Sequence, residues 1–204
     1  ELGFSLYWAR VITATNLPHL VPASEVARQQ ALFTTILADM PQWYERLPLH
    51  PVPFLEGLSD WHNTWLEHPE DGPYWWNLGI DRSHDQIDVP IYHQGGWYDI
   101  FLAGTLKNYV GLRRRARSET ARRAQKLIIG PWVHGSGNIN KQTAGSYDFG
   151  ETAAQNFNEM RLPWFDHWLK DQDTGCLDEP PVRLFVMGRN EWRAEADWPL
   201  PDTR

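Results

Sequence analysis

Two apolar runs, each leading into a glycine-containing motif, constrain the fold of this chain more than any other feature. Residues 89–93 precede the sequence Gly-Gly-Trp-Tyr-Asp at 95–99, and residues 126–129 precede Gly-Pro-Trp-Val-His at 130–134. Short apolar runs bounded by glycine and proline are typical of buried strands. Between them, residues 101–115 carry apolar side chains at helical spacing. A strand, a helix and a second strand in succession predict an α/β fold with a parallel sheet.

The pattern after the second strand predicts one more helix and then further strands. Residues 152–169 form an amphipathic pattern, and Pro163 is expected to kink this helix. Residues 171–181 are polar and predict a linker. Residues 182–187 alternate with period two and predict a strand, and another strand is expected to open near Glu191.

Residues 1–85 predict helices and irregular segments without strands. The clearest helix extends from Ser24, a favourable capping residue, to Met40, and Pro41 is expected to end it. Residues 60–68 predict a second, shorter helix. The expected buried face of the first helix follows the i, i+3, i+4, i+7 spacing and holds Phe33, Ile36, Leu37 and Met40.

The twelve tryptophans are numerous for a chain of 204 residues and admit two interpretations. Two pairs, Trp61 with Trp65 and Trp164 with Trp168, have the i, i+4 spacing of one helix face, which favours core packing. Trp75 and Trp76 lie in a loop region and are candidates for the lining of an acyl pocket. Tryptophans exposed in a row would instead favour carbohydrate binding.

The composition argues against several partners. A net charge of −7 does not favour nucleic acid, and the basic residues between 113 and 123 are expected to form a solvated helix end. No apolar run is long enough to span a bilayer, so no membrane partner is expected. The eight histidines show no metal-site spacing, so neither a metal nor a cofactor is expected. The single cysteine, Cys176, cannot form a disulfide within the chain.

Asp99 and His134 are the candidate catalytic residues. Each follows a predicted strand, and the carboxyl ends of parallel strands are where catalytic groups gather. Taken singly, Asp99 also fits the start of the next helix, and His134 also fits a surface loop. Taken together, an acid followed by a histidine matches the order nucleophile, acid, base of the α/β-hydrolases. A carboxylate on one imidazole nitrogen leaves the other free to accept a serine proton.

The sequence does not contain the nucleophile of such a triad. No Gly-x-Ser-x-Gly turn occurs in the 204 residues, and the chain begins at Glu1 without methionine. We therefore expect it to be part of a longer polypeptide and to be inactive alone. The remainder of that polypeptide, or a partner chain, is expected to complete it.

Four segments resemble the family of cocaine-esterase-like hydrolases, which is akin to the X-Pro dipeptidyl-peptidases, glutaryl acylases and α-amino-acid ester hydrolases. The resemblance extends over essentially the whole chain and is strongest toward its carboxyl-terminal half. The segments are Gly-Gly-Trp-Tyr-Asp-Ile-Phe-Leu-Ala-Gly-Thr-Leu from 95, Gly-Pro-Trp-Val-His-Gly from 130, Trp-Phe-Asp-His-Trp-Leu-Lys from 164 and Pro-Pro-Val-Arg-Leu-Phe-Val-Met-Gly-Arg-Asn-Glu-Trp-Arg from 180.

The resemblance implies part of an α/β-hydrolase core with a helical cap, followed by the start of a β jelly-roll domain. Residues 1–85 would be mostly cap, residues 86–175 the carboxyl-terminal part of the core, and residues 180–204 the start of the jelly roll. The family's triad acid falls on Asp99 and its histidine on His134. Its serine and oxyanion-hole residues would precede residue 1.

The leading interpretation is a serine hydrolase that acts on a small acyl ester or amide, as an acyl esterase, an amidase or an X-Pro dipeptidyl-peptidase. The alternative is a non-catalytic, tryptophan-rich module that binds carbohydrate or protein. A hydrogen bond between Asp99 and His134 at a cleft favours the first interpretation. An exposed row of tryptophan side chains favours the second.

Overall fold

The computed structural model describes residues 2–201, which form two compact units divided between Leu78 and Gly79. The first unit is helical in the part that the structure describes. Its core collects apolar side chains from three helices and from the loop before the fourth, among them Ala9, Leu17, Phe33 and Leu55. The helices are α1 (Leu2–Leu20), α2 (Ala23–Ala38), α3 (Met40–Tyr44), α4 (Asp60–Glu67) and α5 (Pro73–Trp76).

The helix predicted over 24–40 is present with different ends. Helix α2 begins at Ala23 after Pro22, and no side chain caps it, so the predicted Ser24 cap is wrong. Pro41 lies in the first turn of α3 and does not simply terminate a helix. The first turn of a helix leaves its N–H groups unpaired, so a proline without an N–H costs nothing there.

The predicted buried face of α2 is narrower than its spacing indicates. Phe33 and Ile36 are buried, and Met40 is buried at the start of α3. Leu37, in contrast, is 42% exposed. Leu37 still lies within α2, so the stripe of this helix that packs on the core includes Phe33 and Ile36 but not Leu37.

The second unit is built on a sheet of mostly parallel strands. Its elements are β1 (Ile91–Tyr98), α6 (Leu102–Arg115), α7 (Glu119–Arg123), β2 (Gln125–Val133), β3 (Thr143–Ala144), β4 (Tyr147–Asp148), α8 (Phe157–Lys170), β5 (Val182–Val186) and β6 (Glu191–Glu195). The sheet order is β1-β2-β5-β6. Strands β1, β2 and β5 run parallel, and β6 is antiparallel to β5. The predicted α/β class is therefore confirmed.

The strands after residue 180 do not form a separate β domain in the described residues. Leu127 pairs with Val182, and Ile129 pairs with Leu184, so β5 continues the sheet of β1 and β2. Strand β6 follows as the next strand of the same sheet. The structure thus does not show the jelly-roll start that the resemblance implied for 180–204. The period-two pattern identifies a strand correctly but does not identify its pairing partner.

Strands β1 and β2 are longer than predicted, and each includes its motif up to the residue before Asp99 or His134. Strand β1 continues through the Gly-Gly-Trp-Tyr segment, and β2 continues through Gly-Pro-Trp-Val. Helix α8 begins later than predicted, at Phe157, because Asn156 caps it by accepting hydrogen bonds from the N–H groups of Asn158 and Glu159. Pro163 lies within α8, as expected.

Helix α6 approaches a buried histidine so closely that only glycine fits between them. His84 is 1% exposed. Its Nδ1 accepts a hydrogen bond from Arg115 (2.8 Å), so its Nε2 carries the proton and donates to Oδ1 of Asn108 (3.0 Å). A Cβ added at Gly111 would lie 2.1 Å from Cε1 of this ring. Both ring nitrogens are therefore held by α6, and the ring has little freedom to move away.

Two alanine substitutions in α6 are expected to change stability in opposite directions. Gly111→Ala should lower the free energy of unfolding by about 1–3 kcal/mol, because the new methyl group overlaps His84. Gly104→Ala has nothing within 4 Å and should raise it by about 0.5–1 kcal/mol through helix propensity. Urea unfolding of both variants measures the difference. Equal midpoints for the two variants would contradict the packing of α6 on His84.

A neutral histidine lies in the sheet between β1 and β2. The side chain of Gln125 donates its Nε2–H to the carbonyl oxygen of Ala121 (2.6 Å), which turns its Oε1 toward His93. His93 Nε2 therefore donates to Gln125 Oε1 at 2.8 Å. Burial lowers the pKa of His93 below 6.5, the Gln125 hydrogen bond opposes this shift, and the nearby His84 imidazole adds a smaller lowering.

This depressed pKa predicts a loss of stability in acid. Below pH 6.5 the unfolded chain binds a proton at position 93 before the folded chain does, so stability falls as the pH drops from 6.5 toward the lower folded-state pKa. Above pH 6.5 the group contributes no pH dependence. His93→Gln retains a donor toward Gln125. In this variant the free energy of unfolding should fall less steeply below pH 6.5, by up to about 1.4 kcal/mol per pH unit. Urea titrations at several pH values between 7 and 5 test this, and parallel curves for the two proteins would contradict it.

Candidate active site

A β-bulge in β2 brings the two candidate residues level with each other. Gly96 pairs with Gly130, and Tyr98 pairs with Val133. Between these pairs β1 contributes one residue and β2 contributes two, so the register of β2 shifts by one. Asp99 and His134 then each directly follow a paired residue. In a regular ladder Tyr98 would pair with position 132, and Asp99 would lie opposite position 133 instead of His134.

Two glycines make this bulge possible. A Cβ at Gly96 would lie 2.0 Å from the main-chain oxygen of Trp132, and a Cβ at Gly130 would lie 2.4 Å from the Trp132 ring. The Trp132 ring cannot move aside, because it is 2% exposed and its Nε1 donates to the carbonyl oxygen of Ala153 (2.9 Å). Both motif glycines are therefore required by close packing at the end of the strand.

The side chains of Asp99 and His134 form a hydrogen-bonded pair. His134 Nδ1 lies 3.2 Å from both carboxylate oxygens of Asp99. The Asp99 side chain is 15% exposed and that of His134 is 57% exposed. Asp99 Oδ1 also accepts a hydrogen bond from the N–H of Phe101 at 2.8 Å. Asp99 thus fixes the start of the loop into α6 and orients the imidazole, although the residue at the N-cap position itself is Phe101.

The loop around His134 leaves its second ring nitrogen open. The Phe101 ring packs edge-to-face against the imidazole with the ring centroids 4.9 Å apart. Gly135 has φ +105°, a conformation that favours glycine, and Asn138 donates to the carbonyl oxygen of His134 at 2.7 Å. None of the described residues hydrogen-bonds to Nε2. The arrangement holds a histidine whose Nε2 faces away from its carboxylate, as a general base requires.

A cavity of about 200 Å³ adjoins the pair and is lined by Gln94, Gly96, Trp132, Ser136 and Phe157, among others. No serine hydroxyl in residues 2–201 is hydrogen-bonded to His134. The Nε2 of Gln94 is buried and has no hydrogen-bond partner among the described residues. Sequence reasoning did not single out Gln94 because a polar residue inside an apolar strand carries no catalytic signal of its own.

The four paired tryptophans are not exposed. Trp164 is buried at 5% exposure, and Trp61, Trp65 and Trp168 are half-buried. The pairs contact each other, with ring centroids 4.7 Å apart for Trp61 and Trp65 and 5.8 Å apart for Trp164 and Trp168. These side chains therefore contribute to packing and do not form an exposed row.

The two loop tryptophans differ from each other. Trp75 lines a cavity of about 690 Å³ within the first unit, together with Trp65 and His68, and its Nε1 donates to the carbonyl oxygen of His68 at 2.7 Å. Trp76 is 41% exposed and is not part of that lining.

Two further observations concern ligands and membranes. Within residues 2–201, no group of three or more His, Cys, Asp or Glu side chains is arranged to hold a metal ion. No helix in this part of the chain combines the length and the apolar character that a bilayer span requires.

The comparisons with known proteins assign the chain to a family of hydrolases. The chain belongs to the X-Pro dipeptidyl-peptidase (S15) family, whose family model matches residues 5–136. It is 32% identical over 172 residues to the cocaine esterase of Rhodococcus sp. (strain MB1 Bresler), a match that covers 82% of this chain and 28% of the relative. The resemblance identified from the sequence motifs is therefore confirmed.

Solved structures of similar proteins support the same class. The aminopeptidase from the marine sediment archaeon Thaumarchaeota archaeon matches with a TM-score of 0.58 and 27% identity over 72% of this chain and 24% of that chain. An α-amino acid ester hydrolase matches with a TM-score of 0.56 and 25% identity over the same shares. The chain thus spans about a quarter of the length of each of these proteins.

Proposed function

We propose that Asp99 and His134 are the acid and the base of a serine hydrolase triad that acts on a small acyl ester or amide. The observation that carries this proposal is the contact of His134 Nδ1 with both Asp99 carboxylate oxygens, at the carboxyl ends of neighbouring parallel strands. The nucleophilic serine would come from the part of the whole protein that this chain does not span. The names of the relatives, an esterase, an aminopeptidase and an ester hydrolase, support acyl transfer to water as the reaction.

In this mechanism His134 Nε2 accepts the proton of the serine hydroxyl as its oxygen attacks the acyl carbon. The protonated imidazole carries a charge that the Asp99 carboxylate stabilises through Nδ1–H. The tetrahedral intermediate collapses, and Nε2–H transfers its proton to the leaving alcohol or amine. Water then attacks the acyl-enzyme with the same histidine as base, which releases the carboxylic acid and restores the serine.

The two units would take the roles that the resemblance implies. The helical first unit corresponds to most of the cap, and the second unit corresponds to the carboxyl-terminal part of an α/β-hydrolase core. Strands β5 and β6 extend the core sheet in this assignment. Trp75, which lines the cavity of the helical unit, is a candidate lining residue of an acyl pocket.

Replacement of the base tests the proposal directly. His134→Gln in the whole protein should lower hydrolysis of a p-nitrophenyl ester by a factor on the order of 10⁴ or more. His167→Gln is the matched control, because His167 lies in α8 and its Nδ1 contacts only the carbonyl oxygen of Gln172 (3.0 Å). The control should retain nearly full turnover. Comparable activity in the two variants would refute the assignment of His134.

A further inference from the structure

A further cavity in the second unit adjoins the starts of the parallel strands, whereas Asp99 and His134 follow their ends. It has a volume of about 470 Å³ and is lined by Tyr92, Lys126 and Arg183 from the starts of three parallel strands and by Met160 and Trp164 from α8. Strand β2 connects the two ends, because Lys126 lies near its start and His134 directly follows it. At about 3.3 Å per residue, the main chain at Lys126 is roughly 25 Å from that at His134. The lining of this cavity shares no residue with the cavity beside Asp99 and His134.

One cation in this cavity has no carboxylate partner among the described residues. Lys126 forms an ion pair with Glu179, and the carboxylate of Glu159 accepts a hydrogen bond from Asn156 (2.8 Å). The Arg183 guanidinium instead stacks on the Trp192 ring, 4.6 Å from its centroid. No carboxylate of residues 2–201 is within ion-pair distance of it. The lining thus holds two cations and two carboxylates, and Arg183 is the cation without an ion pair, its planar guanidinium held in place by Trp192.

Part of the cavity lining is aromatic and apolar. The rings of Tyr92 and Trp164 lie 5.8 Å apart, and Met160 adjoins them in the lining. Lys126, whose side chain is only 12% exposed, lies over the Tyr92 ring. Burial raises the pKa of Tyr92 to about 12, so its hydroxyl stays protonated and remains a hydrogen-bond donor. A guanidinium without a carboxylate partner, a phenol O–H and apolar rings in one lining suit an anion with an apolar body.

We propose that this cavity binds a small organic acid with an aromatic body, whose carboxylate pairs with Arg183 and whose ring packs against Tyr92, Met160 and Trp164. Guanidinium and carboxylate groups match in a two-point geometry, and the stacking on Trp192 orients the guanidinium before the ligand arrives. The site is separate from the proposed active site and does not depend on the hydrolase assignment.

Calorimetric titration of the whole protein with phenylacetate and with phenylacetamide tests the proposal. The two probes have nearly the same shape and differ in charge. Phenylacetate should bind with a dissociation constant of about 1 mM, and phenylacetamide should bind at least about tenfold more weakly. Arg183→Gln should weaken phenylacetate binding by at least about tenfold. Arg183→Lys, which retains the charge without the planar fork, should bind with intermediate affinity.

Two controls localise the binding. Arg189→Gln removes an exposed arginine that pairs with Glu191 and does not line the cavity, so it should bind phenylacetate like the wild type. Cys176 lines the cavity and is 6% exposed, so saturating phenylacetate should slow its alkylation by iodoacetamide, followed by mass spectrometry of the Cys176 peptide. Equal affinity for the two probes, no binding of phenylacetate, or unchanged binding in Arg183→Gln would each overturn the proposal.

Discussion

Asp99→Asn is expected to lower the turnover of the whole protein by a factor on the order of 10⁴ while leaving the fold intact. The N–H of Phe101 requires an oxygen at the Oδ1 position, so the amide nitrogen of the new asparagine must face His134. That nitrogen would donate to Nδ1 and force the imidazole proton onto Nε2. A histidine in this tautomer cannot accept the serine proton.

Steady-state hydrolysis of a p-nitrophenyl ester measures the effect, with thermal unfolding as a check on the fold. Asp88→Asn is the matched control, because Asp88 is exposed and lies on the amino-terminal side of the same strand. It should retain nearly full turnover. Near-normal turnover in Asp99→Asn would remove Asp99 from the mechanism, whatever the distance between the two side chains.

Gly96→Ala is expected to disrupt both the bulge and the contact between Asp99 and His134. Its Cβ would lie 2.0 Å from the carbonyl oxygen of Trp132, a main-chain atom that cannot swing away. Relief of this clash requires β1 and β2 to separate where the register shift brings Asp99 beside His134. We expect the free energy of unfolding to fall by about 3 kcal/mol and turnover to fall by at least about 10²-fold.

Gly137→Ala is the control for this substitution, because nothing lies within 4 Å of its added Cβ although it belongs to the loop after His134. Urea unfolding and ester hydrolysis of the two variants separate loss of the bulge from a general effect on the loop. A Gly96→Ala protein with wild-type stability would show that the strands tolerate a side chain there. The bulge would then not explain the position of His134.

The sequence predicts that Asp99 and His134 lie together because one short-range rule suffices. Asp99 and His134 each follow an apolar run, and parallel strands bring their carboxyl ends to one edge. The bulge that aligns them is not predictable in the same way, since register depends on pairing between residues more than thirty positions apart. Glycine at 96 and 130 signals a close approach, but the sequence does not identify the Trp132 backbone and ring as the groups approached.

Tertiary contacts also explain which parts of the fold the sequence does not predict. The pattern at 182–187 predicts a strand correctly, but its partner is β2 of the same sheet, which no local signal reveals. The sequence does not predict helix α1, because its apolar residues do not lie on one face and Pro18 lies within it. Tertiary packing, including the contact of Arg10 with the carbonyl oxygen of Phe33 in α2 (3.0 Å), supports it instead.

Labelling of the whole protein with a fluorophosphonate probe tests the central claim most directly. Such probes bond covalently to a serine only when a neighbouring base activates it. We predict that one serine is labelled, that it lies in a Gly-x-Ser-x-Gly turn outside the 204 residues of this chain, and that His134→Gln and Asp99→Asn each slow the labelling by at least about 10²-fold. Labelling of a serine within this chain, or labelling at the wild-type rate in both variants, would contradict the assignment of Asp99 and His134 as acid and base.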